Sequence, residues 1–148
     1  MSRLLALTLT LAAGGGLLLA AAPALAVTRA DNSTATVHKV SGSGKRTVYA
    51  GDMTSSALGR GSVRQVVVLG KGLKVTGSYV ATYKGGTVRG TVRAQAKISG
   101  GKITFSGSAR ITGGTGKYRG ATGSSTYTGT ANLSGTSATF TQRGRISF

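Results

Sequence analysis

The chain has 148 residues, enough for one domain, and carries 19 lysines and arginines against two acids, for a formal net charge of +17. It has no cysteine, which excludes thiol chemistry, a disulfide scaffold and cysteine-ligated zinc. With no glutamate, one histidine (His38) and two aspartates far apart in sequence (Asp31 and Asp52), neither a zinc site nor a Ser-His-acid triad can be assembled, and no cofactor is implied.

Residues 1–26 read as an export signal. Met1-Ser2-Arg3 is a basic start, residues 4–22 are apolar apart from Thr and Gly, and Pro23-Ala24-Leu25-Ala26 supplies the small residues a signal peptidase recognises. Cleavage after Ala26 would leave 18 basic residues against two acids, in a secreted mature form that does not span the membrane. Residues 27–34 are short and polar and are expected to form a disordered leader, with the folded domain at 35–148. About 120 residues suffice for a buried core.

Residues 37–41 and 46–50 read as two short strands joined through Gly42-Ser43-Gly44. Residues 51–62 mix Met53, Ala57 and Leu58 with glycines and polar residues and read as a lid or irregular loop. Residues 63–69 are β-branched and continuous enough for a well-covered strand. From there a two-residue rhythm runs through 73–84, 87–98, 102–112, 127–133 and 138–148, punctuated by Gly85-Gly86 and Gly100-Gly101. Half-buried antiparallel strands produce this alternation, and no segment has helical periodicity. The expected fold is all-β: an eight-stranded antiparallel meander closed into a barrel. Gly77, Gly90, Gly107, Gly129 and Gly144 fall mid-strand on the apolar face, where glycine packs nothing. They are expected to let strands coil at barrel corners and to leave space inside.

Residues 111–130 pass from one alternating strand, through a Gly-rich loop carrying Lys117 and Arg119, into another. The run Gly113-Gly114-Thr115-Gly116-Lys117-Tyr118-Arg119-Gly120-Ala121-Thr122-Gly123 resembles the signature of the allene oxide cyclase-like barrels and their dirigent relatives. Gly51-Asp52 and Leu58-Gly59-Arg60-Gly61 match that family's earlier glycine-rich segments more loosely. The resemblance implies a secreted, calycin-like eight-stranded barrel with an apolar pocket, and relatives that act on oxidised fatty acids or steer the coupling of phenolic radicals. It also implies homo-oligomers, dimers or trimers, with no residue here fixing the number. Catalytic members use pocket acids. Asp52 is the single carboxylate here that could reach a barrel mouth, and a surface loop position is its more ordinary reading.

By strand parity Tyr79, Tyr83, Phe105, Tyr127, Phe140 and Gln142 point inward, as a ligand pocket or as the packing of a filled barrel. Arg89, Arg93 and Lys97 form one outward row, and Arg143 with Arg145 another, at a spacing that could track a polyanion. Base-stacking aromatics between the charges are largely missing, so specific nucleic-acid recognition is not expected. The Gly-rich loop is not a phosphate loop, because Tyr118 follows Lys117 and a strand follows the loop. The reading is a secreted basic barrel that binds or steers a small apolar or phenolic ligand without intrinsic catalysis. The alternatives are electrostatic binding to anionic cell-envelope polymers and, third, a dirigent- or cyclase-type activity.

Overall fold

The computed structural model describes residues 24–148. All but the last three residues of the expected export signal lie outside the described residues. Eight antiparallel strands run in chain order around a closed barrel: β1 (Thr28–Ser43), β2 (Arg46–Ser55), β3 (Gly59–Leu69), β4 (Lys74–Tyr83), β5 (Gly86–Ser99), β6 (Lys102–Gly114), β7 (Thr122–Asn132) and β8 (Ser137–Ser147). β1 pairs with β8 from Thr28↔Ser147 to His38↔Ser137, so the sheet has no free edge. The connections between strands are short, and two contain a single 3₁₀ turn, Lys71–Leu73 and Gly116–Tyr118.

Two stretches differ from the sequence expectation. Residues 28–34 are not a disordered leader but the first half of β1, paired with both β8 and β2. Asp31 faces the interior there. Its carboxylate accepts hydrogen bonds from Ser33 Oγ and Ser55 Oγ, both at 2.6 Å, and from the backbone N–H of Ala57 at 3.2 Å. The polarity of this segment is thus satisfied internally, which composition alone could not show. Likewise, residues 51–62 are not a lid. β2 continues to Ser55, the chain reverses over 56–58, and β3 begins at Gly59. A Cβ at Gly51 would run into the Thr36 carbonyl of β1, so a residue type usually found in turns here permits close strand contact.

The five mid-strand glycines face the interior, as expected, but what they do there is specific. Tyr79 is in register with Gly90, Phe105 with Gly129, and Tyr127 with Gly107. A Cβ at Gly129 would meet Phe105 Cζ at 2.5 Å, and one at Gly90 would meet the Tyr79 ring at 2.7 Å. The Tyr79 and Phe105 rings each lie over the glycine of the neighbouring strand instead of standing across the barrel. The glycines accommodate flat-lying rings, and only in part leave open space.

Replacing Gly129 by Val should push Phe105 off its seat and cost about 1–3 kcal/mol, read as a lower midpoint in urea. Asp31→Ala, which orphans two serine hydroxyls, should cost about 2 kcal/mol and open the β1–β2 end to hydrogen exchange.

Candidate functional site

The two ends of the barrel are built differently. At one end, which holds the start of β1 and the end of β8, the Gly-rich β6–β7 connection folds inward. Tyr118 is buried there, edge-on to Tyr83 at 6.2 Å and to Phe148 at 5.1 Å, and Ala121 is buried beside them. The connection is fastened to the β4–β5 turn by hydrogen bonds from Lys117 N–H to the Gly85 carbonyl (2.8 Å) and from Thr115 N–H to the Thr87 carbonyl (2.9 Å). Gly116 has φ +59°, and a Cβ on it would strike the Gly85 carbonyl. This end is sealed.

The other end is open to a cavity of about 280 Å³ that runs down between the strands. Its wall is mostly aliphatic and small, with Val37, Val67, Val75, Ala96, Ala131 and Ala138 among the lining side chains. Phe105, Tyr127 and Phe140 form its aromatic side. Phe105 stacks on Tyr127 with centroids 5.3 Å apart, and Tyr127 tilts against Phe140 at 5.1 Å. Thr47 and Gln65 add polar groups to the wall, and the Gln65 amide donates to the Tyr127 hydroxyl at 2.9 Å. At the mouth, the Tyr49 hydroxyl donates to the Gly135 carbonyl at 2.8 Å, holding the β7–β8 turn over part of the opening, while Lys39 and Lys45 stand on the rim.

Of the six residues expected to line a pocket, Phe105, Tyr127 and Phe140 do so. Tyr79, Tyr83 and Gln142 are buried but pack elsewhere in the interior, Tyr83 against the seal. Asp52 does not reach the pocket. It is exposed on the outer wall between the inward positions Gly51 and Met53, and Asp31 is engaged by serines on the sealed side. Neither carboxylate of the chain lines the cavity. Arg89, Arg93, Lys97, Arg143 and Arg145 are exposed on the outer face, but the rows do not adjoin. β6 and β7 separate them by three strand steps, about 14 Å around the wall. Sequence reasoning missed Tyr49 and Gln65. Gln65 alternates with buried Val63 on the inner face of β3, and a lone amide in a valine run is the signal that could have found it.

Burial is the main cause of the raised phenol pKa values of Tyr49, Tyr79, Tyr83 and Tyr127. Tyr127 is pushed up to about 12, partly offset by the Gln65 hydrogen bond and reinforced by Tyr49. Tyr79 and Tyr83 are raised further, again chiefly by burial, with the Asp31 charge adding to both. Tyr49 is raised by burial at the mouth. These hydroxyls are neutral donors and acceptors, not bases.

No family model and no curated protein matches the chain. Among solved structures it is similar to pyocyanin demethylase, at a TM-score of 0.39 and 14% identity, over 80% of this chain and 99% of that one. A likeness so slight bears on neither fold nor function.

The raised phenols give the stability a direction with pH. In the unfolded chain they ionise near 10.0 and in the barrel later, so above pH 10 the folded state holds more protons. Their contribution is complete below pH 10 and is lost as pH climbs toward 12 and beyond. Urea midpoints on either side of pH 10 should fall steeply on the alkaline side, and Tyr127→Phe should flatten that fall.

Proposed function

We propose that the chain is an exported, basic barrel that holds a small apolar or phenolic ligand in its open-ended cavity, with no catalytic chemistry of its own. The observation that carries this reading is the cavity itself: a mostly apolar wall, one aromatic side, and a single buried amide–phenol pair, Gln65 and Tyr127. Its volume, near the lower end for small-molecule sites, suits one ring system or a short chain. The Gln65 amide and Tyr127 hydroxyl offer a hydroxyl-bearing ligand both a donor and an acceptor. A kinship with the allene oxide cyclase-like and dirigent barrels agrees with this container. Against a cyclase-type activity stands the absence of any carboxylate from the cavity wall, since the polar groups there are neutral and hard to ionise. A second reading, adhesion to anionic cell-envelope polymers, is favoured by the net charge of +17 and by the exposed arginine rows.

Titration with 1-naphthol and with decanoate tests the first reading. Saturable binding of either should survive moderate salt, fall at least about tenfold in Ala131→Phe, which fills the cavity, and lose its preference for the phenol in Gln65→Met by about tenfold. Absence of binding by both probes, or equal binding by the filled barrel, would sink it.

A further inference from the structure

Lysine and exposed apolar surface are distributed unevenly between the two ends of the barrel. The chain has eight lysines, and six of them (Lys39, Lys45, Lys71, Lys74, Lys97 and Lys102) sit on the strand ends and turns around the open end. No acid accompanies them: Asp31 is on the sealed side and Asp52 is midway along the wall. Among the described residues, arginine dominates elsewhere, with only Arg46 at this rim.

The same rim carries exposed large apolar side chains. Leu73 is 36%, Leu133 56% and Ile98 64% exposed, and they stand at three different connections, β3–β4, β7–β8 and β5–β6. At the fourth, β1–β2, a bulge between Lys39 and Ser41 turns out Val40, also half exposed. Leu73 is moreover the one non-glycine residue among those described with positive φ, at +59°. A bulky residue in that conformation is strained, and it is held where its side chain meets solvent at the cavity mouth. The sealed end is cationic too, with Arg29, Arg60, Lys84, Lys117, Arg119 and Arg145 exposed, but the apolar residues of its turns are half-buried (Ala57, Leu58) or buried (Tyr118, Ala121). Among the described residues, the large exposed apolar residues away from the rim are Val80 on the wall and Leu25 and Val27, which precede β1 at the sealed end.

A ring of flexible cations interleaved with apolar tips, with no acid between them, complements the boundary between anionic headgroups and acyl chains. A soluble polyanion would use the cations and leave the tips in water. We infer that the open end docks on an anionic lipid bilayer, with the rim lysines against headgroups and Leu73, Ile98 and Leu133 in the acyl boundary. Docking of this kind sets the cavity mouth on the lipid surface. It goes beyond the ligand reading and does not depend on it, because the tips and lysines belong to the rim and not to the cavity floor.

Co-sedimentation with vesicles of phosphatidylcholine, alone or mixed with phosphatidylglycerol, tests it. The full chain should partition at least about tenfold better onto the anionic vesicles. Leu73→Gly/Ile98→Ser/Leu133→Ser should lower that partition about tenfold while binding soluble polyphosphate as the parent does. Leu73→Gly removes one tip at a backbone position that glycine prefers, so loss of fold would not account for the result. Lys71→Gln/Lys102→Gln should also lower it about tenfold, and the equal charge change Lys84→Gln/Lys117→Gln at the sealed end by less than about twofold. Ala131→Phe, which removes the cavity, should dock like the parent. Failure to bind anionic vesicles, equal loss from the two lysine pairs, or unchanged docking without the tips would overturn the inference. So would parallel loss of polyphosphate binding in the tip variant.

Discussion

A closed barrel of eight strands encloses little more width than its own side chains occupy, so every large ring inside must be matched by an absence of side chain beside it. The cross-strand pairing of aromatic residues with glycine meets that constraint. Tyr79 over Gly90, Phe105 over Gly129 and Tyr83 over Gly61 each keep a ring flat against the wall. Rings turned across the axis would fill the interior along its whole length. Lying flat, they leave room on the open side, where the facing residues are Ala96, Ala131, Ala138 and valines.

The same economy of space explains the difference between the ends. On the sealed side the interior receives Tyr83, Tyr118, Ile146 and Phe148, and the β6–β7 connection supplies Tyr118 from outside the strand pattern altogether. Asp31 and its serines complete that end with hydrogen bonds. On the open side no connection folds in. The Tyr49 hydroxyl, tied to Gly135, holds one turn over part of the opening. The Gly-rich β6–β7 connection is therefore a structural seal, remote from the cavity.

Chemistry follows from the same layout. With both carboxylates facing away from the cavity, the polar side chains that line it are Thr47, Gln65 and Tyr127, with Lys39, Lys45, Tyr49 and Ser134 around its mouth. Hydrogen-bonded neutral groups and cations can orient an amphiphilic guest but offer no base near neutral pH. Such a layout is the basis for proposing containment of a ligand and not its conversion.

The alternation of small or apolar with polar residues determined by itself that the chain is an all-β closed barrel, and it identified the inward glycines and the inward aromatics. Period-two patterning is a local property, dictated by which face of a strand is dry, so it can be read without coordinates. Parity says nothing about depth along the barrel axis. For that reason Phe105, Tyr127 and Phe140 could not be told from Tyr79 and Tyr83, although only the first three border the cavity. Nor could sequence show that residues 28–34 and 51–62 form strands, because their stability comes from partners far along the chain: Asp31 with Ser55, Thr28 with Ser147. Only tertiary structure decided which end is sealed, where the space lies, and that Asp52 stands outside, since each depends on how distant strands meet around one axis.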